Sequence, residues 1–181
     1  MEQAEINHYN LPRKSVLLFG PHFDRTNQIE FSVHQPSRRL IREIQAVFPA
    51  LCPPDLAKLR VVATFQPAQI ELTSYEEATE KEKDRLLNKF LSWSSKLRHL
   101  LLQVEGETWA DCVDPSSGLP YWSQRGSSIY CEVDAAQVLL GYELVQAGAC
   151  AVCFCLLPGV SLLLFSTPII SILAHVSGSN N

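Results

Sequence analysis

The sequence lacks the features that several common classes of protein require. Its 15 Lys and Arg residues do not exceed its 19 Asp and Glu residues, so the formal net charge is −4. Proteins that bind nucleic acid neutralise phosphates with an excess of cations, and this balance argues against such a partner. The chain also shows no glycine-rich phosphate loop, no basic cluster for a flavin phosphate and no readable Ser/His/Asp or Cys/His set. It therefore gives little support to an enzymatic function.

We expect neither a targeting signal nor a disulfide framework. The first five residues, Met-Glu-Gln-Ala-Glu, do not form a signal-peptide pattern, and no basic residue precedes Arg13, which does not suit a mitochondrial leader. The six cysteines are irregularly spaced, which favours free thiols in a reducing compartment. We therefore expect a cytoplasmic protein.

Charge is absent from the C-terminal part of the chain, because no Asp, Glu, Lys or Arg follows Glu143. Pro158-Gly159 and Pro168 divide its apolar run into pieces shorter than the roughly 20 residues of a membrane-spanning helix. We expect residues 149–157 and 160–165 to form a buried β-hairpin that turns at Pro158-Gly159. A membrane-associated tail is the alternative, although membrane contact is not the favoured interpretation.

Cys150 and Cys153 match a CxxC pattern in this segment. In a regular strand their side chains point to opposite faces, which disfavours a redox pair. A structural zinc site needs four ligands, and the sequence offers neither a second CxxC nor a nearby His. We therefore expect no metal site, and buried thiols are the simplest interpretation.

The apolar content of 46% over 181 residues is enough for one core, and no interior linker divides the chain. We expect a loose N-terminal arm at 1–14 and a single domain at 15–181. The domain is predicted to be α+β, with a mixed sheet and flanking helices. The expected elements are an irregular arm at 19–25, strands near 29–33, 58–66 and 129–132, and helices from Pro36 to Phe48, across 75–104 and from Asp134 to Gly141.

The most informative segment runs from Trp109 to Trp122 and reads Trp-Ala-Asp-Cys-Val-Asp-Pro-Ser-Ser-Gly-Leu-Pro-Tyr-Trp. Its first five residues predict a short strand. Asp114 can then accept bonds from backbone N–H groups, Pro115 presets φ, and Gly118 tolerates a positive φ. On turn chemistry alone this is a well-made connection between a strand and a loop.

This segment closely resembles the hallmark stretch of the cobalamin-trafficking family named after methylmalonic aciduria and homocystinuria type D. The resemblance covers about residues 15–181, which correspond to the family's folded C-terminal domain without most of its long N-terminal extension. Further matches in the same order are Glu30-Phe31-Ser32-Val33, Leu86-Leu87-Asn88-Lys89-Phe90, Cys131-Glu132-Val133-Asp134, Leu140-Gly141-Tyr142 and Gly148-Ala149-Cys150.

The resemblance implies a nitroreductase-like scaffold that holds no flavin, and a non-enzymatic adaptor function. Such a protein docks on the type C cobalamin-processing chaperone and directs cobalamin to target enzymes, of which methionine synthase is a candidate partner. It binds no cofactor alone and shares cobalamin with its partner. The alternatives are a flavin-dependent reductase of the nitroreductase type and a membrane-associated module.

The resemblance also implies candidate site residues. The family offers cobalt the first cysteine of a Gly-Cys-Cys, whereas this chain has Ala149 at that position, so Cys150 becomes the candidate thiolate ligand. The cations that usually follow the pair and lower a thiol pKa are missing here. The hallmark stretch is a candidate interface through Trp109, Asp111, Asp114, Ser116, Ser117, Gly118, Tyr121 and Trp122.

Overall fold

The computed structural model describes residues 11–70, 72, 75–104, 109–141, 143–147 and 150–154. Within these ranges the strands are β1 (Val16–Asp24), β2 (Ile29–Gln35), β3 (Val61–Phe65), β4 (Val113–Asp114), β5 (Leu119–Pro120), β6 (Glu143–Ala147) and β7 (Cys150–Phe154). The helices are α1 (Arg38–Val47), α2 (Pro53–Lys58), α3 (Glu77–Val104) and α4 (Glu132–Leu140). The predicted α+β class is confirmed.

The largest described sheet has the strand order β1-β2-β3, and both of its strand pairs are antiparallel. β1 and β2 form a hairpin whose turn is held by Asp24, since its Oδ1 accepts bonds from the backbone N–H groups of Thr26 at 2.9 Å and Asn27 at 3.1 Å. The chain then returns through α1 and α2 before β3 adds to the other side of β2. The described strands therefore differ from the expected mixed sheet, because none of them pairs in parallel.

Side chains alternate across this sheet and enter two separate apolar clusters. Val61 and Ala63 pack with α1, α2 and α4, whereas Val62 packs with Ile29 and with Phe90 of α3. The sheet thus lies between α3 on one face and the three shorter helices on the other. Leu86, Phe90 and Trp93 of α3 pack in the cluster on the first of these faces.

Helix α1 begins where a side chain caps it. The hydroxyl of Ser37 accepts a bond from Leu40 N at 3.3 Å, so the helix starts just after the predicted Pro36. Its buried residues are Leu40, Ile41, Ile44 and Val47. The Cys52-Pro53-Pro54 run begins α2, a helix that was not among the expected elements, because proline is tolerated in a first helical turn and Asp55 accepts a bond from Cys52 N at 3.2 Å.

The prediction of an irregular arm at 19–25 was wrong, because most of this segment belongs to β1. The strand contains register shifts between Leu17 and Phe19 and between Phe19 and His22, and these hide the alternation by which a strand is read from sequence. At the preceding residues, Leu11 is buried and its carbonyl accepts a bond from Arg38 Nε at 3.0 Å. Residues 1–10 lie outside the described part.

The described C-terminal strands form a pair that was not predicted. β7 falls within the predicted 149–157 strand and pairs with β6, with Glu143 opposite Phe154 and Ala147 opposite Cys150. The predicted turn at Pro158-Gly159 and the predicted strand at 160–165 lie outside the described residues. Among the described helices, including the 28-residue α3, none combines the length and apolarity that crossing a membrane requires.

The strand expected at 129–132 is not formed either. Tyr130 N donates to the carbonyl of Gly118 at 2.8 Å, but this single bond extends into no ladder, and α4 begins at Glu132. Cys131 occupies the N-cap position, so Asp134 lies in the first turn instead of capping the helix. The predicted end is confirmed, since Gly141 closes α4 in the left-handed region with φ +73°.

Candidate functional site

The 109–122 segment folds as a hairpin, with Val113 opposite Pro120 and Asp114 opposite Leu119 in β4 and β5. The strand predicted from Trp109 is shorter than expected. Its backbone departs from a ladder because Cys112 N donates to the carboxylate of Asp111 at 2.7 Å instead of to a neighbouring strand. Next to the Val113–Pro120 pair, Tyr121 N donates to the Cys112 carbonyl at 2.9 Å, so one further backbone bond joins the two arms of the hairpin.

Asp114 organises the tip of this hairpin. Its carboxylate accepts bonds from the hydroxyl of Ser117 at 2.7 Å and from the hydroxyl and backbone N–H of Ser116 at 2.9 and 3.1 Å, while its carbonyl accepts Gly118 N at 2.8 Å. Partial burial acts to raise the pKa of Asp114, but these serine bonds outweigh it, and the pKa lies below its ordinary value. The tip is therefore a fixed turn that carries a charged carboxylate.

Gly118 joins the tip to the segment that precedes α4. Its φ is +69°, a region that other residues adopt at a cost. A Cβ at this position would lie 2.7 Å from the Tyr130 carbonyl oxygen, which belongs to the backbone and cannot swing away. The Gly118 carbonyl also accepts Tyr130 N at 2.8 Å. Glycine at 118 is therefore required both by the turn and by the close approach.

Asp111 is buried and anchors the base of the hairpin. Besides Cys112 N, its carboxylate accepts Trp122 N at 3.0 Å through Oδ1 and Ser123 N at 2.8 Å through Oδ2. Three backbone donors from the two sides of the hairpin thus converge on one carboxylate. Such bonds to a charged acceptor are among the stronger ones in proteins, and Asp111 therefore fixes the path of the chain after β5.

Aromatic side chains flank the hairpin on both sides. The Trp109 ring meets Phe48 edge to face, with ring centroids 5.3 Å apart, and it packs on the cluster around α1. Trp122 packs on the α3 side, with its ring centroid 5.0 Å from Cζ of Arg98. Tyr121 meets Trp122 edge to face at 5.1 Å and is 47% exposed. Trp109 and Trp122 thus anchor the two ends of the hairpin to the two apolar clusters, while Tyr121 faces solvent.

Two charged residues near the hairpin were missed by the sequence analysis. Arg98 of α3 donates from Nε to the Ala110 carbonyl at 2.8 Å; the available signal was a cation within the apolar stripe of that helix. Glu132, in the first turn of α4, has its pKa raised to about 8, chiefly by burial and further by the charge of Asp114. Its position looks like an ordinary acidic first turn, so no local signal marked it.

The predicted interface residues therefore fall into three groups. Asp111 is buried; Ser116, Ser117 and Tyr121 are exposed; the partly buried ones are Trp109, Asp114, Gly118 and Trp122. All eight belong to one hairpin and its two flanks.

Cys150 begins β7, opposite Ala147 at the last pair before the 148–149 connection, and its side chain lies outside the described part, as does Ala149. The described thiols differ in solvent access, because Cys52 and Cys131 are exposed and Cys112 is buried. Burial raises the pKa of the Cys112 thiol to about 12. No group of three or more His, Cys, Asp or Glu residues suited to a metal ion occurs in the described ranges.

The fold and the site define an α+β domain that presents a rigid polar hairpin braced by a buried carboxylate. Residues 9–167 match the family model described as methylmalonic aciduria and homocystinuria type D protein. The chain belongs to this family, and the resemblance found in the sequence is confirmed.

Curated relatives carry the name cobalamin trafficking protein CblD. The protein from Rattus norvegicus is 26% identical over 148 residues, covering 82% of this chain and 48% of the relative. The protein from Homo sapiens is 27% identical over 125 residues, covering 69% of this chain and 40% of the relative. The chain thus spans about half the length of the curated relatives it matches, or less.

Proposed function

We propose that the chain is a non-enzymatic adaptor in intracellular cobalamin trafficking. In this function it docks on the type C cobalamin-processing chaperone and directs cobalamin to target enzymes, with methionine synthase as a candidate. The observation that carries the proposal is the family match over residues 9–167, together with relatives that are named for cobalamin trafficking. The proposal includes a cytoplasmic location and a nitroreductase-like scaffold without flavin.

The hairpin tip and Tyr121 are the proposed docking surface. Ser116 and Ser117 are exposed but already held by Asp114, so a partner does not have to order them on binding. Surfaces that are rigid before association lose less conformational entropy, and an exposed tyrosine supplies a large amphipathic contact area. In this proposal the interior residue Asp111 acts indirectly, by holding the hairpin in shape.

The proposed contact with cobalt uses the thiol of Cys150, and cobalamin is cargo that the partner brings. Sulfur is a soft ligand suited to cobalt, and coordination itself deprotonates a thiol, so no catalytic base is needed. One continuous segment leads from the hairpin to this cysteine: Gly118 is bonded to Tyr130, α4 follows, and β6 and β7 pack on α4. Docking at the hairpin would therefore influence the position of the cysteine.

The test mixes the purified chain with the cobalamin-loaded chaperone and records the elution volume and the cobalt spectrum. We expect a shifted elution volume and a changed spectrum. Cys150→Ser should keep the shift and abolish the spectral change. Unchanged elution for the unmodified chain would refute the docking proposal, and an unchanged spectrum with a shifted elution would refute only the cobalt contact.

Tyr121→Ala tests whether the hairpin is the docking surface. Loss of an exposed aromatic anchor should weaken binding about tenfold or more. Tyr75, which is 95% exposed and lies outside the hairpin, provides the matched control Tyr75→Ala, and this variant should bind as the unmodified chain does. Equal affinities for the two variants would place the docking surface elsewhere.

A further inference from the structure

We infer that the outer edge of β1 binds an extended apolar strand with acidic flanks, supplied by another protein. β1 is an end strand of the three-stranded sheet, and β2 is its only partner among the described strands. An edge strand exposes a row of backbone N–H and C=O groups on its free side, and this row can accept an added strand. The inference rests on β1 alone and not on the proposed function in cobalamin trafficking.

The N-terminal half of β1 is apolar and exposed. Val16, Leu17, Leu18 and Phe19 are consecutive, and each is between 44 and 53% exposed. Because neighbouring side chains in a strand point to opposite faces, apolar surface is exposed on both faces of this half. Contiguous exposed apolar surface usually marks an interaction site, and here it accompanies a strand edge that no other described strand pairs with.

The length of the pairing segment is set by Pro21, which has no backbone N–H to donate and therefore interrupts a ladder. The usable edge is thus Val16–Phe19. Its last side chain is partly fixed in advance, because the Phe19 ring lies 6.0 Å from Phe31, which in turn lies 5.6 Å from the buried Trp93. A partner strand would therefore meet a side chain already anchored to the core of the sheet.

Charge decides which strand fits this edge. Arg13 and Lys14 lie just before β1 and Arg25 just after it, all three exposed and without an ion-pair partner in the part of the chain that the structure describes. Acidic residues flanking a partner strand would neutralise them. A second copy of this chain would bring cations of one edge near cations of the other, so a different, acidic-flanked strand is the better occupant.

The test uses the full chain and a synthetic peptide of about nine residues, with alternating Val and Thr in the centre and Asp or Glu at both ends. Fluorescence anisotropy measures its affinity. Two control peptides share the same centre: one has Lys at both ends, and one carries N-methyl groups on alternate amides, which block strand addition. We expect the acidic-flanked peptide to bind about tenfold more tightly than either control.

Protein variants locate the binding site on β1. Leu17→Lys should weaken binding of the acidic-flanked peptide about tenfold, because it places a charge on the apolar edge. Ile129, another exposed apolar residue, provides the control Ile129→Lys, which should bind normally. Binding that the N-methylated peptide reproduces, or that Leu17→Lys leaves unchanged, would overturn the inference.

Other occupants of the edge would be revealed in the chain alone. Size-exclusion chromatography with light scattering should show a monomer, and hydrogen exchange should be fast at the outward-facing amides of 16–19. A dimer that Leu17→Lys dissociates would show that a second copy fills the edge. Slow exchange at these amides in the monomer would show that the chain covers its own edge. Either result would overturn the inference.

Discussion

Replacing Asp111 with Asn tests whether one buried carboxylate holds the hairpin together. The amide would keep the oxygen that accepts Cys112 N and Trp122 N, but it would place an NH₂ group against Ser123 N, now 2.8 Å from Oδ2. A charge-assisted bond worth about 1.5–3 kcal/mol would be lost, and two donors would face each other. We therefore expect Asp111→Asn to lower the free energy of unfolding by about 3 kcal/mol.

Asp111→Ala removes all three bonds and should cost somewhat more, about 4 kcal/mol. The measurement is urea unfolding followed by tryptophan fluorescence, with Asp134→Asn as a control because Asp134 is an exposed aspartate in the first turn of α4. The control should lose no more than about 1 kcal/mol. If Asp111→Ala loses less than about 1 kcal/mol, the carboxylate does not organise the hairpin and the argument fails.

Three further predictions concern neighbouring groups. Gly118→Ala should lower the free energy of unfolding by about 3 kcal/mol, because its Cβ would meet a backbone oxygen at 2.7 Å. Gly141 has a similar positive φ but open space around it, so the control Gly141→Ala should cost about 1 kcal/mol. Equal losses in urea unfolding would show that the close approach at Gly118 is relaxed. The pKa of Glu132 is raised from 4.5 to about 8, so the folded state binds this proton more tightly than the unfolded state does. The free energy of unfolding should therefore fall as the pH rises from 4.5 to about 8. Glu132→Gln should flatten that fall, and parallel curves of stability against pH for the variant and the unmodified chain would contradict the assignment. In the native chain, iodoacetamide should alkylate the exposed Cys131 far faster than Cys112, because the Cys112 thiol is buried and its pKa is raised to about 12. Peptide mass spectrometry measures the two rates. Similar rates would mean that Cys112 is accessible.

Local signals were sufficient for several elements. The apolar spacing that predicted α1 and α3 is a property of each helix, since residues three or four apart share a face wherever the helix lies. The Asp114 turn and the Gly141 helix end were readable for the same reason, because their hydrogen bonds and φ values involve only neighbouring residues. These features follow from chemistry within a few positions of the chain.

Strand partners were not readable in this way. The pairing of β7 with β6 was not predicted, and β1 was hidden by its register shifts. A strand pattern states that a segment is extended and which faces are apolar, but any strand of suitable length can satisfy its backbone groups. The choice of partner depends on the whole assembly of chain segments.

Residue identity and short-range spacing were enough to predict the family, the α+β class and the chemistry of the hairpin tip. The packing of the folded chain was needed to show that Asp111 is a buried anchor for Ser123, that Arg98 covers Trp122, and that burial raises the pKa of Glu132. Burial and long-range partners arise when distant segments pack together, and no local pattern in the chain encodes them.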